Sequence, residues 1–216
     1  WVVIAWLTPT FRGQASVYSV LNGFPLIGLA ALGLAVTIIA GEFDLSVGSM
    51  AALSAAIAVL SSQLGLIGAV GVAVLACTAL GALQGGLIGR LGINSLVFTI
   101  GTLILIRGLT YMITDSAPIM IENFEITDPL LKRFGIFSWS SIVAIAVFVL
   151  GGVFLTYTRW GREIFAIGGA RNEAIAAGVP RVRPLAVAFA ISAFCAALAG
   201  ALAAMRGGSA APQNYE

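Results

Sequence analysis

The sequence predicts an all-α fold, a polytopic bundle of transmembrane helices, on three observations. Of the 216 residues 60% are hydrophobic and only 9% charged, against roughly a quarter charged in an ordinary soluble domain. Mean hydropathy is +1.05. Apolar runs of about 20 residues, the length that spans a hydrocarbon core of roughly 30 Å, recur between loops that carry nearly all the charge. A soluble domain of this size could bury a core, but its outer faces would need polar residues that are missing here.

About seven spans are expected, in a single transmembrane domain over residues 1–216. Residues 1 to 10 read as the end of a span, because they lack the basic n-region and cleavage site of a signal peptide. The chain opens on Trp1 inside an apolar run and stops at Asn214-Tyr215-Glu216, so it is read as an internal piece, truncated at both ends. Further spans are expected at 21–40, 46–62, 66–89, 95–113, 139–158 and 185–205. Ala, Leu, Val and Ile dominate each, with Gly and Pro where lipid-embedded helices tolerate them.

Short loops rich in Lys and Arg stay on the cytoplasmic side. The 159–183 loop holds Arg159, Arg162, Arg171, Arg181 and Arg183 and is placed inside. The 114–138 loop has only Lys132 and Arg133 among Asp115, Glu122, Glu125 and Asp128 and is placed outside. Alternation then sets Arg90 inside and Arg12 outside, the latter a mild exception. Gly81, Gly85 and Gly89 form one row of small residues and Ala196, Gly200 and Ala204 a second. Such rows let helix backbones approach closely, within one bundle or at a subunit contact.

Net charge +2 comes from eleven basic residues scattered over loops, with no basic stripe for nucleic acid. There is no His, and Cys77 and Cys195 stand far apart inside apolar segments, which excludes CxxC metal or redox chemistry. No GxxxxGK[ST] phosphate loop and no catalytic triad occurs, so the chain is not expected to be an enzyme or to hold a metal.

Two segments stand out. Gly41-Glu42-Phe43-Asp44-Leu45-Ser46-Val47-Gly48-Ser49 sets two carboxylates and two hydroxyls between apolar runs, with no basic residue beside them. It reads either as a short cytoplasmic turn in which Asp44 caps the following helix, or as a broken helix lining a pathway, where oxygens meet a hydroxyl-rich solute. In the second segment, Thr158 to Val179, Gly168-Gly169 is expected to break the chain. A short helix then follows over Asn172 to Ala177, ended by Gly178 with Pro180 beyond. That helix suits docking into a partner's groove, and an ordinary positive-inside loop is the plainer reading.

These segments resemble the signatures of the ribose-type permeases, within the ribose and branched-chain amino acid family of ABC importers. That family carries Gly-x-Asp-Leu-Ser-Val-Gly-Ser and, much later, Arg-Thr-x-x-Gly-x-x-x-x-Ala-x-Gly-x-Asn-x-x-Ala-Ala-x-x-x-Gly. The counterparts here are Asp44 to Ser49 and Arg159 to Gly178. Asn94 to Thr102, with Arg107-Gly108 after it, is similar to the family's Pro-Phe-Ile-x-Thr-Leu-Gly-Thr and Arg-Gly. Glu42 stands where ribose-type members often carry a small neutral residue, Ser95 where Pro is usual, and Asn214 where Gly is common.

The resemblance implies a permease subunit of the bacterial inner membrane that moves a monosaccharide by alternating access. Its implied partners are a second copy or sister permease, cytoplasmic ATP-binding subunits and a periplasmic sugar-binding protein. It needs no cofactor of its own, since the partner ATPase would use the ATP. Pathway residues would be Glu42, Asp44, Ser46, Ser49, Asn94, Thr99, Thr102 and Arg107. Arg107, about a dozen residues into its span, either snorkels to the outer headgroups or bridges helices near the outer gate. The ATPase coupling loop would use Gly161, Arg162, Gly168, Gly169, Asn172, Glu173, Ala174 and Gly178. The amino acid branch of the family is the alternative; an ion-coupled secondary transporter would need matching helix breaks in both halves, and the sequence offers one.

Overall fold

A computed structural model describes residues 13–212. The stub at 1–10, Arg12 and Asn214 lie outside the described residues. The helices are α1 Gln14–Ile39, α2 Val47–Leu60, α3 Gly65–Leu91, α4 Ser95–Ile113, α5 Asp128–Leu131, α6 Trp139–Tyr157, α7 Arg159–Gly169, α8 Arg171–Ala176 and α9 Val182–Gly207. Two small antiparallel pairs complete the described chain. β1 Ile119–Met120 pairs with β4 Ser209–Ala210, and β2 Arg133–Phe134 pairs with β3 Phe137–Ser138.

The all-α expectation holds, and of the seven expected spans the stub at 1–10 lies outside the described residues. Among the described residues five helices, α1, α3, α4, α6 and α9, are long and apolar enough to cross a membrane. The segment expected to span at 46–62 is helical over only 14 residues in α2, about 21 Å at 1.5 Å per residue and short of a full crossing.

Small residues decide the packing. α9 is the central helix, buried along most of its length between α1, α2 and α3. A Cβ on Gly89 would stand 2.9 Å from the Val182 Cα, and one on Gly85 would stand 2.8 Å from the Phe189 Cβ. Gly81 faces Ala193 and the Phe189 carbonyl, and Gly200 faces the Ala51 carbonyl. Both small-residue rows therefore serve contacts inside this one bundle, where backbones come close enough for many weak dispersion contacts to add up.

The loops sort to two ends. The segments around 40–46, 92–94 and 158–181 share the end rich in arginine: Glu42 meets Arg171, and Gly92 lies against the Arg181 guanidinium. At the other end the 114–138 loop returns through β1 to β4, and Arg206 donates to the Asn22 carbonyl at 2.9 Å and to Asn22 Oδ1 at 2.6 Å. The ends alternate along the chain as the charge pattern predicts.

Candidate functional site: the helix break and the basic elbow

The break begins with a sharp stop to α1. Gly41 takes φ +76, its N–H donates to the Ile38 carbonyl at 2.9 Å, and the Glu42 N–H donates to the Thr37 carbonyl at 3.0 Å. This is the paired closure that glycine makes possible at a helix C-terminus. Glu42, buried, then receives Arg171 Nη2 at 2.6 Å. In sequence this carboxylate has no basic neighbour; the fold brings one from 129 residues away.

Asp44 turns inward and is 3% exposed. Its Oδ1 accepts from the Ser46 N–H at 3.0 Å, the Ser46 hydroxyl at 2.6 Å and the Gln84 amide at 3.5 Å, and its Oδ2 accepts from the Ser192 hydroxyl at 2.7 Å. Among the described residues its partners are hydroxyls and amides, with no cation. The carboxylate does not cap the first turn of α2. Its bond to the N–H two residues on is the local turn that Asp side chains favour.

The site lies well inside the bundle. Gln84 is seven residues before the end of α3 and Ser192 ten residues after the start of α9, about 10 and 15 Å in from the basic end at 1.5 Å per residue. α2 thus starts inside the bundle, against the middle of α3 and α9. A charged group there holds only while its lone pairs are occupied, which three elements accomplish together.

The other pathway candidates divide. Ser46 and Ser49 are buried beside or just beyond the break, and the Ser49 hydroxyl has no hydrogen-bond partner among the described residues. Asn94 is exposed and caps α4 by accepting from the Leu96 N–H at 2.9 Å, and its neighbour Ser95 accepts from the Phe43 N–H at 3.1 Å. Thr99 is buried and bonded within its own helix. Thr102 lines a largely apolar cavity of about 720 Å³ between α3 and α4, which Gln84 and Phe98 also line. Arg107 sits half-buried on α4 between Ile106 and Gly108, both on that cavity's wall.

Gln84 and Ser192 were not singled out in the sequence, yet they complete the Asp44 shell. The signal existed: Gln84 is the one amide in a glycine-rich span, and Ser192 the one hydroxyl in α9. Polar side chains inside such spans ask for partners.

The elbow on the basic end is α7 and α8. Thr158 caps α7 by accepting from the Gly161 N–H at 3.0 Å, and Gly161 lies under the Phe154 and Leu155 carbonyls, where no side chain fits. α7 buries Glu163, Ile164 and Ile167 and exposes Trp160, Arg162 and Phe165. The buried Glu163 carboxylate accepts from two Arg183 nitrogens, Nη2 and, at 2.9 Å, Nε, and from Arg159 Nε at 3.0 Å. Arg183 above all, with Arg159 helping, holds its carboxyl below the usual range against the upward push of burial.

The expected break at Gly168-Gly169 is corrected. Both glycines are helical, and the chain turns at Ala170, with φ −150 and ψ 84. Gly168 is required for a different reason. Its backbone lies against the Ile39 and Ala40 carbonyl groups, so a Cβ would collide with the end of α1. Gly169 has no heavy atom within 4 Å of where a Cβ would stand, and no positive φ. α8 follows as a short helix that buries Ala174 and exposes Asn172, Glu173 and Ile175, and Gly178 closes it at φ +89.

Near this elbow a polar cavity of about 420 Å³ is lined by Glu42, Asn94, Ser95, Arg171 and Arg181. No group of three or more His, Cys, Asp or Glu among the described residues could hold a metal.

A family described as branched-chain amino acid transport system permease component matches residues 16–216. The probable ABC transporter permease protein YphD of Escherichia coli K12 is 35% identical over 211 residues, 97% of this chain and 64% of that protein. The ribose import permease protein RbsC of Bacillus subtilis 168 is 30% identical over 223 residues, 100% of this chain and 69% of its own length. The L-arabinose transport system permease protein AraH of Escherichia coli K12 is 33% identical over 126 residues, 56% of this chain. The chain matches 37% of the length of that arabinose permease and 64% of YphD. No solved structure matches.

Proposed function

The chain belongs to the family of branched-chain amino acid transport system permease components, and from that premise we propose that it forms part of the membrane channel of a bacterial ATP-driven sugar importer, in the inner membrane. The observation that carries the proposal is the helix break at 41–46, where Asp44 sits at depth in a shell of Ser46, Gln84 and Ser192. Hydroxyls, an amide and one carboxylate are groups that recognise neutral polyols, and the shell shares Gln84 with a cavity of about 720 Å³. The names of the relatives, ribose and arabinose permeases, favour a monosaccharide over a branched-chain amino acid.

Asp44, Ser46, Ser49, Thr99 and Thr102 are the proposed pathway residues, with Asn94 shaping the start of α4. In this reading α7 and α8 receive the cytoplasmic ATP-binding subunit on the face of Asn172, Glu173 and Ile175. A second permease subunit and a periplasmic binding protein complete the importer, and ATP is hydrolysed by the partner alone. The test is uptake by cells making the full-length permease with its ATP-binding and binding-protein partners, offered labelled ribose, arabinose, fructose and leucine in turn. Uptake of a sugar that stops with Asp44→Asn supports the reading. Uptake of leucine alone would replace the sugar by an amino acid.

A further inference from the structure

We infer that the Glu42–Arg171 ion pair is the link through which movement of the elbow reaches the buried Asp44 site. This rests on the proposed importer reading and adds two positioning residues to it. Glu42 is thereby moved from the pathway to the linkage.

The geometry leaves the elbow two kinds of attachment. Glu163 binds Arg183 at the start of α9, and that fixes α7 to the central helix. Past the turn at Ala170, α8 begins with Arg171, whose guanidinium reaches Glu42 at 2.6 Å. Gly168 lies against the last carbonyls of α1, immediately before Gly41. The chain from 41 to 46 is therefore gripped from outside by α7 and α8 and from inside by Gln84 and Ser192. Glu42 and Asp44 are two residues apart with the exposed Phe43 between them, so both carboxylates face into the protein. A shift of α8 that carries Arg171 with it pulls on Glu42, and one residue of non-helical backbone separates that pull from Asp44. The backbone of this stretch is held at two points, the Glu42 N–H on the Thr37 carbonyl at 3.0 Å and the Phe43 N–H on the Ser95 hydroxyl at 3.1 Å, whereas α3 and α9 on the inner side are continuous helices. Arg171 is partly exposed at the basic end and Glu42 is buried, the arrangement of a lever arm and its anchor.

The test uses the full-length permease purified with its ATP-binding subunit, carrying Phe43→Cys as a reporter, since Cys77 and Cys195 are buried. The rate of maleimide labelling is measured with and without ATP plus orthovanadate as the trapping probe. In the parent, trapping is expected to change that rate about fivefold or more, the lower end of typical couplings between linked sites. Arg171→Glu is expected to abolish the change, as is Glu42→Gln, with the ATP-binding subunit still co-purifying. The charge-swapped pair Glu42→Arg with Arg171→Glu is expected to restore it. A parent-sized change in both single variants overturns the link. So does a loss of the ATP-binding subunit in both, which would make the pair a docking or folding contact. A parent that binds the subunit yet shows no change on trapping also overturns the link, whereas failure of the parent to bind the subunit at all removes the importer reading on which the link rests.

Discussion

The Ser192 hydroxyl donates to Asp44 Oδ2 at 2.7 Å across 148 residues of sequence, and so joins the central helix α9 to the break before α2. Removing that donor leaves a buried carboxylate oxygen short of a partner. Ser192→Ala is expected to destabilise the chain by about 1 to 3 kcal/mol, read as a lower melting temperature in detergent.

Asp44→Asn is expected to reach the membrane at parent abundance and to lose transport. The amide oxygen can keep the Ser46 bonds, and the amide N–H₂ can donate to the freely rotating Ser192 hydroxyl, but the charge is gone. Asp44→Leu strands the donors of Ser46, Gln84 and Ser192 together and is expected to lower membrane abundance itself. Unchanged uptake by the Asn variant would confine Asp44 to a structural role.

Adjacent glycines are expected to behave oppositely. Gly168→Ala drives a methyl group into the Ile39 carbonyl and stands 3.0 Å from the Ala40 carbonyl carbon, an overpacking strain of about 1 to 3 kcal/mol. Gly169→Ala meets open space in helical backbone and gains up to about 1 kcal/mol of helix propensity. Thermal melts of the two variants, run side by side, decide this; equal melting temperatures would refute the close approach of α7 to α1.

Glu163 gives an acid limit. Its folded carboxyl is held below the ordinary value of 4.5 by Arg183, so its contribution is fully present above that value and fades as pH falls through it toward the lower folded value. Melting temperature is expected to be insensitive to this group from pH 7 to 5 and to fall below about 4.5. Glu163→Gln is expected to lower the melt at pH 7 and to flatten that acid decline. An acid decline as steep as the parent's would assign it to other carboxylates.

The two ends provide a sidedness test. Asn172→Cys on α8 is expected to react with an impermeant maleimide only from the cytoplasm, and Glu122→Cys in the 114–138 loop only from outside. Both positions are exposed. The reversed pattern would remove the basis for docking an ATP-binding subunit on α8.

Much of the fold was legible because hydrophobic length and loop charge are local quantities. The spans at 95–113 and 139–158 match α4 and α6 within a residue, and the Gly81-Gly85-Gly89 row announced a close helix contact without naming α9. The apparent span at 46–62 misled because its composition is mostly apolar, and composition cannot register that the helix covers only the 14 residues of α2. Gly168-Gly169 misled for a related reason: two glycines look like a chain break, but here one of them makes room for a neighbouring helix. Gln84 and Ser192 were visible as lone polar residues in apolar helices, with nothing in the sequence to say what they bind.

By itself the sequence determined the class, the positions of most of the long apolar helices and the sorting of loops to two ends, since each depends on windows of about 20 residues or fewer. Only the tertiary structure decided that Glu42 belongs to Arg171, that Asp44 is shared among three elements, and that Gly168 touches α1. Those pairings join residues 129 and 148 positions apart. Buried charge seeks whichever donors the packed helices bring within about 3 Å, and which helices those are is settled when small residues let the backbones close on one another.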